Sequence, residues 1–140
     1  MTKLKSGNSK PARAILLDAS CVLAWLFEED GSDVVEPVLT TSYITAVNMT
    51  EVIRTVNRMN GDGLACAKDL VEAGLTVVPF TWSSVQAMPA IHHASPRKGS
   101  LSLGDACCIA YGLTQGMEIW TADRAWSEFT INATIRQIRQ

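Results

Sequence analysis

The stretch Ala14-Ile15-Leu16-Leu17-Asp18-Ala19-Ser20 is an unbroken apolar run that stops at a carboxylate. Four apolar residues in succession fit a strand covered on both faces, at the centre of a parallel sheet, better than an alternating edge strand. Outward from it, a helix is predicted from Val22 to Glu28, ended by the polar stretch through Asp33. Val34 to Leu39 reads as a short helix and Ser42 to Thr45 as a second strand. From Ala46 to Met59 the apolar positions Met49, Val52, Val56 and Met59 recur at the spacing of one helical face, and Asn60-Gly61-Asp62-Gly63 stops that helix. Leu64 to Ala73 forms another, stopped by Gly74. Leu75 to Phe80 is a β-branched third strand, with Thr81 or Ser83 capping a helix toward His93.

After the breaker from Ser95 to Ser100, Ser102 opens a helix to about Thr114 and Gly116 punctuates it. Met117 to Thr121 makes a fourth strand, Arg124 to Phe129 a short helix and Thr134 to Ile138 a last strand. Strands separated by helices predict right-handed βαβ units. The expected fold is α/β, three layers, a mainly parallel doubly wound sheet with helices on both faces.

The chain has 140 residues, 47% of them hydrophobic and 19% charged, which predicts one domain over 14–140. Residues 1–13, with three lysines, an arginine, Gly, Ser and Pro, read as a flexible basic tail without the apolar core of a signal peptide. The longest apolar run, Val22 to Phe27, falls far short of the roughly 20 residues needed to span a bilayer. Cys21, Cys66, Cys107 and Cys108 show no metal-finger spacing and predict reduced, buried thiols in a cytoplasmic protein. Twelve basic and fourteen acidic residues leave a formal charge of −2, so any polyanion must be gripped locally.

Four of those acids share a placement: Asp18 after the first strand, Glu51 in a helix, Asp105 in the first turn of another, and Asp123 after the fourth strand. Open parallel sheets bind ligands beyond the carboxyl ends of their strands, and all four can face that crevice. Buried carboxylates need compensation, and oxygen donors of this kind suit Mg2+ or Mn2+, hence metal-assisted chemistry on a phosphate. Each acid also has a structural role open to it. Asp18 and Asp123 can cap the helices they precede, Ser102 and Asp105 resemble a capping box, and Glu51 can pair with Arg54.

The motifs ILLDAS (15–20), VNMTEV (47–52), SLGDACCIA (102–110) and IWTADRAW (119–126) resemble the four motifs of the PIN domain. LSLGDA with TADRAW is most similar to the VapC-type toxins of bacterial toxin and antitoxin pairs. The resemblance implies strand order 3-2-1-4-5 and a Mg2+- or Mn2+-dependent endoribonuclease giving 5′-phosphate and 3′-hydroxyl ends. By position it implies that Asp18, Asp105 and Asp123 hold the metal and Glu51 orients or deprotonates the attacking water. Ser20 supports Asp18 by a hydrogen bond, or caps the following helix. Where many relatives carry a further acid, this chain has Ala125, which places any second ion with the substrate. An RNA substrate, a cognate antitoxin and a homodimer are the implied partners, the antitoxin lying in a groove between the first helices, or the dimer face lying there, on the Val22 to Phe27 and Ala46 to Met59 helices.

For the substrate backbone Arg124 is the best-placed contact, ahead of Arg54, Arg58, Arg97 and Lys98. His92 and His93 point about 100° apart on a helix and make a poor joint ligand. Trp25 and Trp120 belong in the core; Trp126 is the tryptophan placed to touch RNA. Three rival readings remain open at this point: a response-regulator receiver, a catalytically silent binding module, and an RNA-maturation nuclease. The receiver lacks its phosphoacceptor, because the third strand ends in Thr81, and lacks a lysine after the fourth strand.

Overall fold

Leu16 and Leu17, both fully buried, point to opposite faces of the first strand, and that pair sets the layering. The computed structural model describes residues 13–95, 101–129 and 131–140. Five strands, β1 (Ile15–Leu17), β2 (Tyr43–Thr45), β3 (Thr76–Val78), β4 (Glu118–Thr121) and β5 (Thr134–Gln137), form one sheet in the order β3-β2-β1-β4-β5. Every pairing is parallel, with Leu16 opposite Tyr43 and Ile119, and Thr121 opposite Gln137. The three-layer α/β fold and the implied strand order are both found.

On one face Leu17, Ile44 and Trp120 pack against α1 (Ala19–Leu26), α2 (Ser32–Val35), α3 (Ala46–Arg58) and α4 (Gly63–Ala73). On the other, Leu16, Val78 and Ile119 meet α5 (Trp82–Ala94) and α6 (Leu103–Gln115). α6 crosses closest at Gly112. A Cβ there would lie 2.4 Å from Ile119 Cγ1, a core side chain with no room to yield. Gly112→Ala is therefore expected to lower stability by about 1–3 kcal/mol, measurable as a shift of the denaturant midpoint.

Local chemistry explains most boundaries. Thr81 and Ser102 accept the backbone N–H of Ser84 and Asp105 as N-caps, and Gly116 ends α6 at φ +66°. Three expectations need correction. α1 begins at Ala19 and not Val22, because Asp18 itself caps it by accepting from Cys21 N at 3.2 Å. The helix expected over 34–39 divides into α2 and a 3-10 turn, Leu39–Thr41, around Pro37, which has no N–H to continue it. Met59 caps the end of α3 and is 63% exposed, off the buried face.

All four cysteines are free; Cys21, Cys107 and Cys108 are buried and Cys66 partly so. Among the described residues no helix is long and apolar enough to cross a membrane. The Arg97-Lys98 loop and the basic tail lie outside the described residues, apart from Arg13, which donates to Thr134 Oγ1.

Candidate active site

Asp18 leaves the end of β1 with its backbone N–H on Trp120 O (3.1 Å) and its side chain almost wholly buried. Its carboxylate is held on both oxygens. Ser20 Oγ and Cys21 N donate to Oδ1, and Thr121 Oγ1 donates to Oδ2 at 2.8 Å. Ser20 Oγ accepts in turn from Ala122 N (2.9 Å), and Thr121 Oγ1 accepts from Asp123 N (3.0 Å). Two hydroxyls thus tie the start of α1 to the turn after β4. Ser20 is a supporting group of Asp18, while the capping role belongs to Asp18.

Burial pushes the Asp18 carboxyl up to about 6; the hydroxyls and the Cys21 N–H oppose it, and the nearby Asp105 charge adds to it. With three donors on two oxygens, Oδ2 keeps a lone pair for a further partner.

Glu51 sits on α3 against the first turn of α6. It does not pair with Arg54: among the described residues the only salt bridge is Arg139 to Glu29. Its partner is Asn48, fully buried, whose Nδ2 donates to Glu51 Oε1 (2.7 Å) and to Gly104 O (3.2 Å) while Thr45 Oγ1 holds its Oδ1. One amide therefore positions Glu51 and joins α3 to α6. Gly104 leaves the room: a Cβ there would fall 2.7 Å from Glu51 Oε1. Gly104→Ala is expected to displace the flexible carboxylate with little loss of stability, since only the end of a side chain must move. A fall in kcat of about 10-fold with an unshifted melting temperature would be the signature.

Asp105, half-buried, carries a raised pKa. Burial is the main cause, and the charges of Glu51 and Asp123 add to it; Ser102 and the Trp126 indole hold it down. Trp126 is a correction. It is 1% exposed, packed with Ala106 and Ile109 under the 3-10 turn Arg124–Glu128, and cannot stack on RNA. Its Nε1–H has no acceptor in hydrogen-bonding geometry, yet lies near enough to Asp105 to favour the anion. Asp123 is exposed; it caps that turn through Ala125 N (3.0 Å), and Gln137 Nε2 donates to its carbonyl at 2.8 Å. Arg124 beside it is exposed, as are His92 and His93 on α5.

The carboxyls of Asp18, Glu51 and Asp123 therefore gather around Asp105 beyond the carboxyl ends of β1 and β4: the charges of Glu51 and Asp123 act on Asp105, and that of Asp105 acts on Asp18. No lysine or arginine forms a salt bridge with any of them among the described residues. They are not a ready coordination shell: among the described residues no three acidic, histidine or cysteine groups stand close enough to hold an ion. The donor chemistry still fits a hard divalent cation, namely oxygen ligands, uncompensated like charge and a spare lone pair on Asp18.

Asn48 and Thr121 were not singled out from the sequence. The signals for them are an Asn three residues before Glu51 on a helix, and a Thr ending the strand two residues before Asp123.

A parallel sheet of this order with acidic groups beyond the carboxyl ends of its strands defines a three-layer α/β protein whose ligand site lies at that crevice. The PIN domain family model matches residues 15–132, and the chain belongs to that family. Its fold is shared with a DNA-bound VapBC from Salmonella typhimurium (TM-score 0.71, 15% identity, 90% of this chain and 98% of that one). A toxin-antitoxin complex from Klebsiella pneumoniae is similar (0.70, 14%, 91% and 99%), as is VapC20 of Mycobacterium tuberculosis, a sarcin-ricin loop cleaving toxin (0.64, 17%, 81% and 93%). No curated protein sequence matches the chain.

Proposed function

We propose that the chain is a divalent-metal-dependent endoribonuclease acting as the toxin of a toxin-antitoxin pair. The observation that carries this reading is the crevice of four neighbouring carboxyls with no basic partner, two of them with raised proton affinity, in a PIN-family chain. Its fold neighbours include a toxin-antitoxin complex and a sarcin-ricin loop cleaving toxin.

Asp18, Asp105 and Asp123 would hold Mg2+ or Mn2+, which supplies charge stabilisation at the reacting phosphate and acidifies water. Ser20 and Thr121 orient Asp18, and Asn48 orients Glu51. Glu51 would take a proton from the attacking water as its oxygen bonds to phosphorus and the P–O3′ bond breaks; the 3′-oxygen leaves as a hydroxyl, taking a proton from solvent, and the phosphate stays on the 5′ end of the other fragment.

The antitoxin seat on this reading is an apolar groove of about 560 Å³ between Trp25 and Leu26 of α1, Leu39, and Leu70 and Ala73 of α4. The α1/α3 surface expected for that role also holds a cavity, of about 510 Å³, lined by Leu23, Phe27 and Met59. A homodimer would draw on Trp82 and Leu103, which are 72% and 69% exposed.

The test is incubation of a mixed tRNA and rRNA pool with Mn2+, Mg2+ or EDTA. Cation-dependent cuts bearing 5′-phosphates are expected. Folded protein that cuts nothing with either ion would overturn the reading in favour of a silent binding module.

A further inference from the structure

The last residues of the chain run beside the acidic crevice. Ile138 N donates to Thr121 O (2.9 Å), and Gln137 Nε2 donates to Asp123 O (2.8 Å), so Arg139 emerges next to the segment that carries Thr121 and Asp123. Arg139 lines two cavities. One, of about 510 Å³, contains Ser20, the group that holds Asp18; the other, of about 440 Å³ and lined by polar side chains, contains Arg124, Ser127 and Gln137. Arg139 thus stands between the support of Asp18 and the guanidinium that follows Asp123.

We propose that Arg124 and Arg139 form a two-arginine clamp for a backbone phosphate of the RNA adjacent to the scissile one. The clamp rests on the nuclease reading and adds to it how a crevice of four carboxylates tolerates a polyanion. A cation at the aspartates answers one phosphate. The next phosphate along the strand meets acidic surface unless a basic group stands beside the crevice, and this is the wall that carries two.

The guanidinium of Arg124 has no hydrogen-bond or ion-pair partner among the described residues, the only side-chain hydrogen bond to this residue being that of Ser127 Oγ, which donates to its carbonyl. Arg139 commits a single nitrogen, Nη1, to Glu29 Oε1 and Asp30 O, both at 3.2 Å. Its remaining N–H groups can fork onto phosphate oxygens, the geometry that arginine matches better than lysine. The Glu29 pair is partly solvated, with side chains 33% and 49% exposed, and so is a weak structural tie that orients Arg139 without consuming it.

The test is equilibrium binding of a labelled, unstructured ten-nucleotide RNA in EDTA over a range of salt, for the wild type, Arg124→Gln, Arg139→Gln, the double variant and Glu29→Gln. Each arginine variant is expected to weaken binding by about 5-fold to 10-fold and to flatten the slope of log K against log[salt] by about 0.7, one single-strand phosphate. The double variant should lose no further slope, because both arginines serve one phosphate. Glu29→Gln should bind at least as tightly as the wild type.

If the wild type cuts RNA and the arginine variants keep its affinity and slope, the clamp is wrong and the nuclease stands. Equal loss of stability in Arg139→Gln and Glu29→Gln without a change in RNA affinity also refutes it, leaving a structural tie. A wild type that neither binds nor cuts RNA removes the nuclease reading and the clamp together.

Discussion

Asp105→Asn is expected to lower metal-dependent RNA cleavage by on the order of 10³-fold, equivalent to about 4 kcal/mol of transition-state stabilisation. Asn preserves the shape and keeps the backbone N–H that Ser102 caps, so the helix start is undisturbed. It removes a charge that burial and the neighbouring Glu51 and Asp123 already disfavour. The variant should therefore fold as well as the wild type or better at neutral pH, with its affinity for Mn2+ reduced. That combination separates loss of a ligand from loss of structure. Cleavage within a few-fold of wild type would remove Asp105 from the chemistry and with it the shared site.

The second large effect is on stability against pH without metal. Asp18 has its pKa raised from 3.8 to about 6, chiefly by burial, so the folded state binds its proton more tightly than the unfolded chain does. The stabilisation from protonation is fully present below about pH 4 and is lost as pH rises through about 6. Its size is about 3 kcal/mol.

In EDTA the protein should consequently unfold more readily at pH 7.5 than at pH 5, and Asp105 acts in the same direction. Mg2+ or Mn2+ added at pH 7.5 should restore the difference, because a ligand that binds only the folded state stabilises it. Asp18→Asn keeps an acceptor for Cys21 N and should be more stable than the wild type at pH 7.5, insensitive to the cation and inactive. Denaturant midpoints at the two pH values, with and without Mn2+, are the measurement. A midpoint independent of pH over that range would contradict the burial argument for Asp18.

Part of this site was legible in the residues alone. A carboxylate that ends an apolar strand, or sits in the first turn after a cap, is placed by local rules, and Asp18, Asp105 and Asp123 obey them. Those rules also made capping and chemistry look like alternatives, whereas Asp18 does the capping with Oδ1 and keeps room for a further partner on Oδ2. The partner of Glu51 was less legible. A neighbour at helical spacing suggested Arg54, but the buried amide of Asn48 won, because an amide without a partner in the interior is costly and Glu51 Oε1 with Gly104 O satisfies it.

The sequence by itself determined the order of strands and helices, their caps, and the acids that mark the carboxyl ends of the sheet, because each depends on residues a few positions apart. The tertiary structure alone decided that Trp126 is interior and Trp82 exposed, that Ser20 and Thr121 lace α1 to β4, and that Arg139 lines one cavity with Arg124. Such facts follow from the pairing of β4 with β5 and the packing of helices on each face. They depend on residues far apart in the chain, and no local spacing encodes which distant surface a side chain will meet.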